Sequence, residues 1–127
     1  MISTAQDLHT FISALMTGKL LPAPLLAEMR KPHPKAGYGL GVFVQDVGEN
    51  GGTVITHNGG TAGHAALMYS TPDGSKTLTA ALNYVDDAAL SMAEAFQKAT
   101  QRLVKEVFGR GQAERPDEAA EPTQPTA

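Results

Sequence analysis

A chain of 127 residues with a 42% apolar share has the size and composition of one globular domain. Its net charge of −3 leaves no basic footprint for nucleic acid or an anionic membrane, and no apolar run reaches the roughly 18 residues of a spanning helix. The absence of cysteine excludes disulfides, thiolate catalysis and cysteine zinc sites, and the first residues lack the basic-then-apolar order of a signal peptide.

In chain order, Ser3 is placed to cap a first helix, with Gln6 three residues on as in a capping box. Leu8, Phe11, Ile12, Leu15 and Met16 follow the spacing of one helical face, and Gly18 suits the position just past the helix end. A short second helix is expected from about Pro22, burying Leu25, Leu26 and Met29. The prolines of "RKPHPKAG" make that stretch a loop.

Strands follow. "YGLGVFVQD" (38–46) is apolar with β-branched residues, "VGENGG" is a turn, and "TVITH" (53–57) is a short strand. In "HAALMYS" (64–70), Ala65, Leu67 and Tyr69 alternate with Ala66 and Met68, so a strand here carries apolar groups on both faces and is expected to be covered on both. "TPDGS" (71–75) has the Pro-Asp-Gly signature of a tight connection. "KTLTAALNY" (76–84) then alternates, with Leu78, Ala80, Leu82 and Tyr84 on one face. The pattern predicts an antiparallel meander. Asp86 or Asp87 can cap a last helix running to about Phe108, with Leu90, Ala93, Phe96, Leu103, Val104 and Val107 as its apolar stripe and Glu94 paired to Lys98. The domain is therefore 1–108. Residues 109–127, acidic and proline-containing, have no aliphatic side chain larger than alanine and are expected to be a disordered tail.

His9 and His33 read as solvated side chains. His57 and His64 would face opposite sides of an uninterrupted strand, which argues against a shared metal site. Gly37, Gly39 and Gly41 do not form a nucleotide-binding loop, because the last glycine of that motif and its helix are missing. No G-x-S-x-G elbow is present. The informative stretch is "THNGGTAG" (56–63). His57 offers an imidazole, Asn58 offers a donor and an acceptor, and Gly59 with Gly60 lets another backbone approach the main chain. An exposed edge there can take a peptide-like substrate as an added strand. The other reading of the same residues is a glycine bulge that only bends the sheet.

Four elements stand in a recognisable order: "MISTAQDLHTFISALMTGKLL", "YGLGVFVQD", "THNGGTAGHAALMYSTPDGSKTLTAALNY" and a final helix. Together they resemble the C-terminal part of penicillin-recognising serine hydrolases, the DD-peptidase and class C β-lactamase-related family, over residues 1–108. The resemblance implies an α+β fold with an antiparallel sheet and flanking helices, the C-terminal portion of the serine β-lactamase fold, with no cofactor and no metal. In that family a Lys-Thr-Gly triad, often replaced by His-Thr-Gly or His-x-Gly, lies on the strand beside the active site. His57, Asn58 and Gly59 match it. The resemblance implies that His57 supplies the positive or hydrogen-bonding group near the substrate carboxylate. Asn58 takes the place of threonine, Gly59 keeps the strand open, and the Gly60 N–H forms half of an oxyanion hole.

The family's nucleophile is the serine of Ser-x-x-Lys, with a second motif Tyr-x-Asn. The residues three after each serine here are Gln6, Met16, Asp73, Leu78 and Glu94, so no Ser-x-x-Lys exists. The residues two after each tyrosine are Leu40, Thr71 and Asp86, so Tyr-x-Asn is missing too. In the family both motifs lie upstream of the region matched here. The chain is thus expected to represent the last third of such an enzyme, with Met1 an internal methionine. Acyl transfer needs an activated nucleophile, so the chain alone is expected to be inactive. The implied ligand of the complete enzyme is a peptide-like or β-lactam small molecule, and the implied location is the cell envelope or medium. Without the family's N-terminal strands and helix, one sheet edge and one face are expected to be open, inviting self-association or a missing segment. Two other functions remain open: a non-catalytic homologue binding a peptide or partner through the exposed strand edge, and an unrelated small α+β domain.

Overall fold

The computed structural model describes residues 1–48, 52–83 and 93–109. Helix α1 spans Ala5–Met16, α2 Ala23–Met29 and α3 Ala93–Phe108. The strands are β1 (Phe43–Asp46), β2 (Thr53–Thr56), β3 (Gly59–Thr61), β4 (His64–Ser70) and β5 (Thr77–Asn83). They form one antiparallel sheet in which β4 pairs with β5 on one side and with both β2 and β3 on the other, and β1 pairs with β2. The meander expected from alternation is therefore present, and its outer strands among the described residues are β1, β3 and β5.

Alternation along β4 divides the core into two layers. Met68 faces one cluster, in which Ile12, Leu15 and Met16 of α1 pack with Leu26 of α2, Val42 and Ile55. Leu67 and Tyr69 face the other, with Val54 and with Val104 and Phe108 of α3. Leu78, Ala80 and Leu82 of β5 pack on this second cluster, the face that their spacing predicts. The sheet thus has helices on both sides. The expectation of one uncovered face is corrected in part, because Val104 and Phe108 of α3 pack on the second layer.

Local signals differ from expectation in four places. The first helix is capped by Thr4, not Ser3. The Asp7 N–H donates to Thr4 Oγ1 at 3.0 Å and the Thr4 N–H donates to Asp7 Oδ2 at 3.2 Å, so aspartate fills the position expected for Gln6. Phe11 and Leu25 lie on apolar stripes yet stay 48% and 57% exposed. The strand expected from Tyr38 begins only at Phe43. Gly41 at φ +82° turns the chain back so that Tyr38 bridges to Phe43, and a side chain at Gly39 would overlap the Met29 carbonyl. His9 is exposed but not free, since its Nδ1 lies 2.7 Å from Thr77 Oγ1.

The Pro-Asp-Gly connection forms as expected. Asp73 accepts from the Ser75 N–H at 3.0 Å and from the Ser75 and Thr71 hydroxyls, both at 2.7 Å. These donors favour the carboxylate and draw the Asp73 pKa from 3.8 down to about 2, with the Ser75 hydroxyl and amide ahead of Thr71. The Arg30 guanidinium donates to the Pro72 carbonyl and ties α2 to this hairpin. The Glu94–Lys98 pair forms at 2.6 Å on an exposed turn of α3. Phe96 and Leu103 remain 39% and 41% exposed on the flank of that helix. Tyr84, Asp86, Asp87 and Leu90, and the expected tail beyond Gly109, fall outside the described residues.

Candidate functional site

His57 and Asn58 lie between β2 and β3, opposite Met68 and Leu67 of β4. The register runs Thr56 to Tyr69 before them and Gly59 to Ala66 after them, so no residue is inserted. The glycines therefore do not mark a bulge, and that alternative reading is corrected. The ladder is instead interrupted by a side chain. The His57 N–H still donates to the Met68 carbonyl at 3.2 Å. In return, the Met68 N–H donates to Asn58 Oδ1, also at 3.2 Å. Asn58 also receives the Thr56 hydroxyl at 3.4 Å and donates from Nδ2 to the Tyr69 hydroxyl at 2.8 Å. Tyr69 is 5% exposed and its ring lies 6.5 Å from that of Phe108, which links the site to α3.

The parity of the ladder sets what faces outward. The His57 peptide bonds toward β4, so the peptide groups of Asn58 and Gly60 turn away from β4, toward the open edge. At this edge β1 has already ended. The Asn58 carbonyl is met by the imidazole of His57, whose Nδ1 lies 3.0 Å from it. A carbonyl only accepts, so Nδ1 is the donor in this contact. His57 is exposed and lies beside an aromatic pair. Tyr38 and Phe43 meet edge to face at 4.5 Å, and the His57 ring is 5.9 Å from Phe43 and 6.3 Å from Tyr38.

The glycines are not demanded by the packing of this chain. Gly59 and Gly60 lack positive φ. A side chain at Gly59 would meet nothing within 4 Å, and one at Gly60 only the His64 carbonyl at 3.9 Å. Bare backbone here leaves room for something outside the chain.

The structure thus brings His57, Asn58, Gly59 and Gly60 to one open edge, but with different roles. The His57 ring and the Gly60 N–H face that edge. The Asn58 carboxamide is spent mostly inside the sheet, with one of its two N–H groups unassigned. Sequence reasoning missed Tyr69, Tyr38 and Phe43 as neighbours of this stretch. The cross-strand row Phe43–Thr56–Tyr69 follows from register, which only the hairpin connections fix. His64 is held elsewhere, its Nδ1 2.9 Å from Asn83 Oδ1. Among the described residues no three metal-ligating side chains cluster, and no helix is long and apolar enough to cross a membrane.

The fold and edge describe an α+β domain with one exposed, glycine-bearing strand end. No protein-family model matches the chain. A solved structure does: a D-stereospecific amidohydrolase from Streptomyces sp. superposes with a TM-score of 0.65 at 29% identity over 84% of this chain. That structure has a β-lactamase-like fold, and the likeness supports a hydrolase-like kind of protein within the penicillin-recognising superfamily. The chain spans 30% of that structure's length.

Proposed function

We propose that this chain is the C-terminal region of a serine hydrolase of the DD-peptidase and β-lactamase-related kind. It contributes one wall of an acyl-transfer site acting on a peptide-like amide or a β-lactam. The observation that carries this reading is the open edge at His57–Gly60, where an imidazole and an outward backbone N–H stand together on glycine backbone that the fold does not need. In the complete site the Gly60 N–H stabilises charge developing on the acyl oxygen. With a proton on Nε2, His57 donates to the substrate carboxylate; without it, Nε2 accepts from a hydroxyl of the proton-transfer network. Asn58 fixes the strand from within. The nucleophile comes from polypeptide beyond these residues, and the working location is the cell envelope or medium.

The test is reconstitution. The pure chain is assayed against a chromogenic cephalosporin and a D-Ala-D-Ala peptide, alone and joined to the polypeptide encoded upstream. The expected result is no turnover alone and turnover when joined, with His57→Ala reducing kcat/KM of the joined protein by about 10²-fold. Turnover by the isolated chain would overturn the reading, as would upstream sequence lacking Ser-x-x-Lys.

A further inference from the structure

Beside the edge lies an open depression of about 380 Å³, lined by Ala36, Gly37, Phe43, Val44, Gln45, Thr56, Asn58 and Tyr69. Its floor is the buried pair Thr56 and Tyr69, each 5% exposed, while Phe43 stands at the rim at 46% exposed. Three of its polar groups are already engaged with one another. The Thr56 hydroxyl donates to Asn58 Oδ1, and Asn58 Nδ2 donates to the Tyr69 hydroxyl. No charged side chain lines it. An ionised group entering it would lose water without gaining a partner, whereas an apolar group would not.

Its position relates it to the edge. β1 leaves the sheet at Phe43, and the chain turns away at Gly41. A ligand held along the outward peptides of Asn58 and Gly60 occupies the line that β1 vacates. The side chains of an extended ligand alternate between the two faces. One of them comes down on the α3 face, beside the Phe43 ring and over Asn58. The Phe43 ring there, packed edge to face on Tyr38 at 4.5 Å, offers its surface to an aromatic group.

We propose that this depression is the side-chain subsite for an apolar, preferentially aromatic residue of an amide ligand held along the Asn58–Gly60 edge. The proposal rests on the reading of that edge as the ligand-binding strand. Phe43 is the specificity-determining residue, with Tyr38 supporting it.

The experiment is a titration of the ¹⁵N-labelled chain, followed by amide NMR, with N-acetyl-phenylalanine amide in both enantiomers, N-acetyl-lysine amide and N-acetyl-glycine amide. All are expected to move the Gly59 and Gly60 signals. The phenylalanine amide binds about tenfold tighter than the glycine amide in one enantiomer and also moves Phe43, Val44 and Gln45. The lysine amide shows no such gain. Phe43→Ala abolishes the preference while Gly60 still responds, and Phe43→Leu, which keeps bulk, retains part of it. Equal affinities with the depression signals unmoved would overturn the subsite and leave the edge reading intact. No response at Gly59 and Gly60 to any amide would overturn both.

Discussion

Replacing Asn58 by alanine tests whether its carboxamide holds the interrupted ladder together. The substitution removes the acceptor for the Met68 N–H at 3.2 Å and the donor to the Tyr69 hydroxyl at 2.8 Å. The Thr56 contact at 3.4 Å lies near the outer limit of a hydrogen bond and counts for little. The Met68 N–H can fall back on the His57 carbonyl, the ladder's ordinary acceptor, so its share is small. The main loss is at Tyr69, whose hydroxyl is left unpaired on a ring 5% exposed. An unpaired buried group costs about 1–3 kcal/mol and a net hydrogen bond about 1 kcal/mol, so Asn58→Ala is expected to destabilise by about 2 kcal/mol. Tyr69→Phe is expected to cost about 1 kcal/mol, because water can reach the exposed Asn58. If the two act through one bond, the double variant costs about 2 kcal/mol, a coupling of about 1 kcal/mol. Urea unfolding followed by circular dichroism reads this directly. With a slope of about 1.5 kcal/mol/M, Asn58→Ala lowers the midpoint by about 1.3 M. Additive single effects, with coupling below about 0.3 kcal/mol, would refute the reasoning.

The glycines give a sharp contrast. Gly39→Ala drives a methyl into the Met29 carbonyl and is expected to cost about 3 kcal/mol, whereas Gly59→Ala meets nothing within 4 Å and should stay within about 0.5 kcal/mol by the same unfolding assay. Asp73 is ionised at lower pH in the folded chain than in the unfolded one. Its contribution is present in full above about pH 4 and is lost as pH falls through about 2. A carboxyl NMR titration with a midpoint near that of an ordinary aspartate would count against the Ser75 and Thr71 clasp. Among the described residues β5, Thr77–Asn83, pairs with β4 alone, and it carries no charge or proline. The chain is therefore expected to associate with concentration in sedimentation, and Ala81→Lys to restore the monomer; a monodisperse wild-type monomer would remove the edge as the cause.

How far the sequence could be read depended on how local each determinant was. The β4–β5 hairpin was legible because alternation and Pro-Asp-Gly agree over adjacent residues, and the Glu94–Lys98 pair because helical spacing alone places it. The strand expected at Tyr38 was shortened by Gly41, whose positive φ composition does not announce. Ser3 and Thr4 are equally good caps by type, and the choice fell to the residue whose third neighbour is acidic. Phe11 and Leu25 have the right period, but burial depends on what lies opposite. At the candidate site, His57 and Gly60 were legible as edge groups. Asn58 was read as facing ligand, while its carboxamide turns inward to a tyrosine eleven residues away in sequence. No spacing rule predicts that, since it depends on the sheet register.

The tie between α1 and β5 bears on the order of folding. His9 meets Thr77 across 68 residues, and the Thr79 hydroxyl donates to the Ala5 carbonyl across 74. The β4–β5 hairpin, by contrast, closes through a short turn at Thr71–Lys76. Hairpins form in about 1–10 μs, while the long closure carries an entropic cost that grows with the logarithm of its length and must be met before the contacts form. The helix nearest the N-terminus therefore gains these two ties only once the β5 strand is in place. Substitutions at His9 or Thr79 should accordingly speed unfolding more than they slow folding, whereas changes in the 71–76 turn should do the reverse.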